Sequence, residues 1–218
     1  MAHIRDITGW IYTGMWKYCP EYAGAEIIEQ PHPEFLPDDY PVFLQKFIID
    51  GQTGTYIETK AHIDNTADPV TSLPLSNFMR PVVVVDVGWK TINERITVED
   101  LEDAKPDIRP GDAVLICTGW SRKWNEPDFV EGSPFIGREA GLWLIDKKPA
   151  ILGSDLPRFD YVPAMEFPWD ELWANVPLIM GPCTNLKGLN GRCGTLVAFP
   201  LKIRGACASP CRAAIILE

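Results

Sequence analysis

The chain has 218 residues, of which 46% are hydrophobic and 23% are charged. These values argue against a disordered or fibrous chain, and the length predicts one domain, residues 1–218, that can bury a sizeable core. The net charge of −10 argues against nucleic acid or an anionic membrane as a partner, because binding to phosphate groups requires clustered Lys and Arg.

We expect neither a membrane span nor a secretory signal. The apolar runs are only of strand length, and the first residues combine an early Asp6 with no apolar stretch. Six cysteines without a C-x-x-C pair predict reduced side chains rather than a zinc site. We therefore expect a cytoplasmic protein.

Strands dominate the predicted elements. Short apolar segments rich in β-branched residues, each bounded by Gly, Pro or Asp, are typical of buried strands. In chain order they are 47–49, 55–57, 82–87, 113–117, 150–152, 176–180, 195–199 and 213–217. The Pro-rich segment from Pro31 to Pro41 predicts a long loop, and such loops often line sites.

Helices are fewer. Thr97 and Asp100 form a variant capping box that predicts a helix as far as Ala104, before Pro106. Apolar residues at helical spacing predict a second helix over 137–147, and a shorter one is expected over 169–174. The pattern predicts an α/β protein with mixed β-sheets and a few flanking helices.

The segment from Gln52 to His62 holds the most informative chemistry. A Gly-Thr turn is followed by Glu58 and His62, four residues apart, between two apolar stretches. The segment resembles the metal-binding signature H-x-G-T-H-x-D-x-P-x-H of the cyclase family, a group of formamidase-like hydrolases.

The resemblance extends over nearly the whole chain, because further blocks occur in the family's order and spacing. They are 96–101 leading to 109–120, 139–144 with 152–160, 198–203 and 209–213. The resemblance implies the family's fold, a swivelling β/β/α-like α/β domain. It also implies hydrolysis of a C–N or C–O bond next to a carbonyl, with metal-bound water as the nucleophile.

The chain departs from the signature at most of its functional positions. Gln52, Tyr56 and Glu58 stand where the family has His, His and Asp, Lys60 replaces the proline, and His62 is identical. Downstream, Gly181 occupies the position of a family Glu, and no histidine follows position 62. A standard two-metal site therefore cannot be built from this chain alone.

Two chemistries stay open. Gln52, Glu58 and His62 would be the ligands of one divalent ion, zinc, manganese or magnesium. Alternatively, Glu58 and His62 act without metal as an acid–base pair, with Tyr56 or Lys60 assisting a developing oxyanion. Trp16 and Trp120 are candidate stacking surfaces for a flat substrate.

The predicted function is the hydrolysis of a small amide, lactam or lactone, with His62 and Glu58 as the catalytic residues. Two alternatives remain: a metal-free pseudoenzyme that binds a small ligand in the family pocket, and an isomerase or dehydratase that uses Glu58 as a general base. The resemblance also implies a homo-oligomer, dimer or tetramer.

Overall fold

The structure is a computed structural model that describes residues 3–217. Its strands are β1 (His3–Asp6), β2 (Glu26–Glu29), β3 (Gln45–Ile48), β4 (Tyr56–Glu58), β5 (Met79–Asp86), β6 (Arg95–Ile96), β7 (Ala113–Cys117), β8 (Phe135–Ile136), β9 (Ile151–Ser154), β10 (Leu178–Gly181), β11 (Gly191–Pro200) and β12 (Ala208–Leu217). Its α-helices are α1 (Val98–Asp103), α2 (Arg138–Asp146) and α3 (Trp169–Asn175). One short 3-10 turn, Lys60–His62, belongs to the candidate site.

Seven strands close into a mixed, barrel-like sheet. Its order is β12–β11–β5–β7–β9–β10–β4, and β4 pairs back with β12 to complete the ring. The pairings β5–β7, β7–β9 and β9–β10 are parallel, and the remaining pairings of the ring are antiparallel. Closure leaves β4, which carries the candidate site, hydrogen-bonded on both sides.

The core has two apolar layers, one on each face of β5. Val82 and Val84 point into one cluster, which fills the inside of the sheet with apolar side chains from β7, β9, β10, β11 and β12. Val83 and Val85 point into the other, where Leu101, Leu144 and Leu172 from the three helices cover the sheet. Continuous burial on both faces explains why β5 reads as an uninterrupted apolar run.

The capping box predicted at Thr97 is confirmed and begins α1. The Thr97 hydroxyl accepts a hydrogen bond from the Asp100 backbone N–H at 3.3 Å. The Asp100 carboxylate in turn accepts one from the Thr97 backbone N–H at 2.9 Å. These reciprocal bonds satisfy two donors that the first turn would otherwise leave free.

Most predicted elements are confirmed, within a few residues at their ends. The prediction of a buried strand at 47–49 is wrong. That segment belongs to the two-stranded sheet β2–β3, where Phe47 is 62% exposed, and β2 itself was missed because its sequence, Glu26–Glu29, is half acidic. None of the helices within residues 3–217 is long and apolar enough to cross a membrane.

Candidate active site

The predicted motif folds into one compact unit at β4. Tyr56 and Glu58 lie on this strand, between β10 and β12. The Thr59 hydroxyl then accepts a hydrogen bond from the Ala61 N–H at 3.3 Å and caps the 3-10 turn that carries His62. The turn brings His62 back toward Glu58, so that both side chains line the same cavity.

The cavity has a volume of about 370 Å³ and largely apolar walls that include six aromatic side chains. The polar groups converge at one part of the wall, where Gln52, Glu58 and His62 meet. The remaining lining comes from Tyr18, Tyr22, Tyr56, Ile63, Leu156, Pro157, Arg158, Phe159, Trp169, Trp173, Ile179, Met180 and Gly181. A small apolar pocket with a few convergent polar groups is the usual form of a small-molecule site.

Gln52 links the two titratable side chains. Its Nε2 donates a hydrogen bond to Glu58 Oε2 at 2.7 Å and lies 3.5 Å from His62 Nε2. A side-chain amide has two N–H donors, so the second is directed at His62 when that nitrogen carries no proton. Gln52 thereby favours an ionised Glu58 beside a neutral imidazole.

Burial sets the protonation of this group. Glu58 is only 3% exposed, and burial raises its pKa to about 7, although the hydrogen bond from Gln52 opposes the rise. Burial lowers the pKa of His62, and it raises the pKa of Tyr56 well above the ordinary value. Near neutral pH the cavity therefore contains a carboxyl close to its midpoint, a neutral imidazole and a protonated phenol.

The three predicted metal ligands lie together, but they do not fit a metal ion. No group of three or more His, Cys, Asp and Glu side chains suited to a metal occurs within residues 3–217. Gln52 directs its amide nitrogen, a donor that cannot act as a ligand, at Glu58. One carboxylate and one imidazole are fewer strong ligands than zinc sites use.

The structure does not bring the other three predicted substrate contacts into the cavity. Lys60 lies on the outer side of its turn and forms an ion pair with Asp64 at 3.0 Å. Trp16 packs edge-on against Trp124 over the helical layer of the core. Trp120 is fully buried, and its indole N–H donates to the Phe129 carbonyl at 2.8 Å, so it has no surface to offer a ligand.

The aromatic wall was missed because it comes from a distant part of the chain. Phe159 and Arg158 follow β9, and Trp169 and Trp173 lie one turn apart on α3. Asp160 joins the two parts, since its carboxylate accepts a hydrogen bond from the Trp169 indole at 2.9 Å. The signal in the sequence that could have located this wall is the family block 152–160, which contains Pro157, Arg158 and Phe159.

The fold and the motif define a member of the cyclase family. The sequence model of that family, described as "Putative cyclase", matches residues 6–161. This match covers more than half of the chain, and the chain belongs to the family.

Known relatives agree with this assignment. Kynurenine formamidase of Salinibacter ruber is 26% identical over 198 residues, which are 82% of each chain. Isatin hydrolase A from Ralstonia solanacearum superimposes with a TM-score of 0.81 at 23% identity, over 99% of this chain and 92% of that one, and shows that the fold is shared. A structure described as a potential metal-dependent hydrolase with cyclase activity has a TM-score of 0.77 and 25% identity, and the alignment covers both chains completely. The prediction of a cyclase-family hydrolase is confirmed.

Proposed function

We propose that the protein hydrolyses a small, flat amide, lactam or lactone next to a carbonyl, with Glu58 as the general base and without a metal ion. The observation that carries the proposal is the position of the Glu58 carboxyl. It is nearly inaccessible to bulk solvent, lines an aromatic cavity and is oriented by Gln52. Such a group can take a proton from one bound water and is poorly placed for any structural ion pair.

Ionised Glu58 would accept a proton from a water molecule whose oxygen attacks the carbonyl carbon. The same proton would then pass from Glu58 to the leaving nitrogen or oxygen as its bond to that carbon breaks. A pKa of about 7 suits both directions of transfer near neutral pH. Tyr56 stays protonated because burial raises its pKa, so its O–H can donate to the developing oxyanion.

The walls favour a flat substrate. The Trp169 and Trp173 rings are nearly parallel, with an interplanar angle of 24°, and Phe159 is stacked with Trp169 at 8°. Aromatic faces of this kind bind planar rings through offset stacking and the burial of apolar area. The volume of about 370 Å³ is near the lower end for ligand pockets, which favours a small molecule.

Hydrolysis of formanilide, a small lactam panel and a small lactone panel tests the proposal. Glu58→Gln keeps the size of the side chain but cannot take up a proton, and we expect it to lower kcat/KM roughly 100- to 10,000-fold. Glu99→Gln is the matched control, because Glu99 is exposed in the first turn of α1 and does not line the cavity. The proposal fails if Glu58→Gln retains wild-type activity.

A binding protein is the second candidate. The single carboxylate and imidazole in the cavity do not form the ligand set that a metal-bound water would require, which favours a cavity used only to hold a ligand. In that case a planar ligand would bind the wild-type protein and Glu58→Gln alike, and no compound of the panels would be turned over. The predicted homo-oligomer and cytoplasmic location stay predictions, and light scattering of the purified protein tests the first of them.

A further inference from the structure

Arg158 lines the cavity but has no role in the proposed proton transfers. Its side chain is 16% exposed, and its Nη2 donates to Glu131 at 3.2 Å. Glu131 is 76% exposed, so this ion pair is solvated and weak. A guanidinium has five N–H donors, and Glu131 is its one side-chain partner within residues 3–217.

The backbone around Arg158 is firmly held. On one side, the Asp155 carboxylate accepts hydrogen bonds from the Thr118 N–H and hydroxyl, at 2.9 and 2.8 Å. On the other, the Asp160 carboxylate accepts bonds from backbone N–H groups, including that of Glu166 at 2.8 Å. Because both ends of the turn are anchored, the backbone that carries Arg158 has a fixed position at the cavity wall.

Arg158 also dominates the charge of the cavity. Burial keeps the nearby tyrosines protonated, since it raises the pKa of Tyr18, Tyr22 and Tyr56, and it lowers the pKa of His62. The only other charge on the wall is that of Glu58, whose pKa is about 7. Arg158 is therefore the one side chain of the cavity wall that stays positively charged at neutral pH.

A second polar group in the same region, the Tyr18 hydroxyl, has the Tyr56 hydroxyl beside it but no hydrogen bond of good geometry within the described residues. This hydroxyl is completely buried. Tyr18 and Arg158 line the same cavity, and the positive charge of Arg158 opposes the rise in the pKa of the Tyr18 hydroxyl. A buried hydroxyl without a partner is costly, and a ligand oxygen could supply the missing partner.

We propose that Arg158, assisted by the Tyr18 hydroxyl, binds a carboxylate of the substrate and selects anionic aromatic amides over neutral ones. This proposal rests on the proposed function only in calling the ligand a substrate. Binding of the ligand at Arg158 can be measured without turnover. Arg158 would act as a specificity-determining residue, remote from the bond that breaks. The free N–H groups of its planar fork match the two oxygens of a carboxylate.

Calorimetric binding of two isosteric probes, ortho-formamidobenzoate and ortho-formamidobenzamide, tests the proposal. The titrations are made at about pH 6, where Glu58, with its pKa of about 7, is mostly protonated. We expect the wild-type protein to bind the carboxylate roughly 10- to 100-fold more tightly than the amide. Arg158→Met should abolish this preference, and Arg158→Lys should retain part of it.

Two control variants separate recognition from loss of charge or of structure. Arg109→Met removes a positive charge that is 66% exposed and lies outside the cavity, and it should leave the preference unchanged. Glu131→Gln removes the protein partner of Arg158 and should leave the preference unchanged or increase it. If Arg158 were only half of a structural ion pair, Glu131→Gln would destabilise the fold as much as Arg158→Met.

Equal binding of the two probes by the wild-type protein, or no binding of either, would overturn the proposal, as would a preference that survives in Arg158→Met. If Arg158→Met does not fold, the decision rests on Arg158→Lys, which must bind the carboxylate more weakly than the wild-type protein does. Turnover is measured separately. Selective binding without hydrolysis supports the anion site and contradicts the proposed function, whereas hydrolysis without selectivity does the reverse.

Discussion

Replacing Glu58 by Gln should make the protein more stable at alkaline pH while it strongly lowers kcat/KM. The wild-type carboxyl has its pKa raised from 4.5 to about 7 by burial, so the folded state binds this proton more tightly than the unfolded state does. Stability contributed by this group therefore falls as the pH rises from about 4.5 to about 7 and is constant above that. At about 1.4 kcal/mol for each pH unit, the shift from 4.5 to about 7 costs the ionised form roughly 3 kcal/mol.

Glu58→Gln removes this cost because an amide does not ionise. Its oxygen can still accept the hydrogen bond that Gln52 donates at 2.7 Å, so little else changes at the site. Urea unfolding of both proteins between about pH 5 and pH 9 gives the free energy of unfolding as a function of pH. The difference between them cancels the other titrating groups, and it should grow in favour of Glu58→Gln by roughly 2.5 kcal/mol across this range, because part of the effect already lies below pH 5. A difference that does not change with pH would refute the assignment of a raised pKa to Glu58.

Three further predictions follow from the site. For a neutral amide substrate, kcat/KM should rise with pH to a plateau above about 7, because the base must be ionised; a rate that is flat down to about pH 5 would contradict this. Thr118→Val removes the hydroxyl that donates to the buried Asp155 at 2.8 Å, and thermal unfolding should show a destabilisation of about 1–3 kcal/mol. Thr91→Val, at an exposed position, is the control. Trp173→Leu should raise KM for aryl substrates roughly 10-fold with little change in kcat, and an unchanged KM would show that the ring does not contact the substrate.

The sequence predicts best those elements whose burial is uniform. Strand β7 has the predicted bounds, Ala113–Cys117, because all five residues are buried and an apolar run marks them directly. The sheet β2–β3 fails for the opposite reason, since Phe47 is apolar but exposed. Hydrophobicity indicates burial only on average. Nothing in the local sequence shows that the apolar side chains of the sheet β2–β3 are exposed.

The candidate site divides in the same way between local and distant residues. Gln52, Glu58 and His62 lie within one short segment, and its resemblance to the family's metal-binding signature indicated that they act together. Lys60 belongs to that segment too, but the 3-10 turn directs it toward Asp64 and away from the cavity. Arg158 and Trp169 reach the site only through the pairing of β4 with β10 and the packing beside β9, which no local pattern encodes.

Hydrolysis of formanilide by protein that has been treated with a chelator and freed of divalent ions tests the central claim most directly. We predict that the metal-free wild-type protein keeps its full activity and that added zinc, manganese or magnesium does not raise it, whereas Glu58→Gln shows the same large loss of kcat/KM in every case. Loss of wild-type activity with the chelator, and its recovery on addition of a divalent ion, would contradict the account. It would show that Glu58 and His62 act as metal ligands after all.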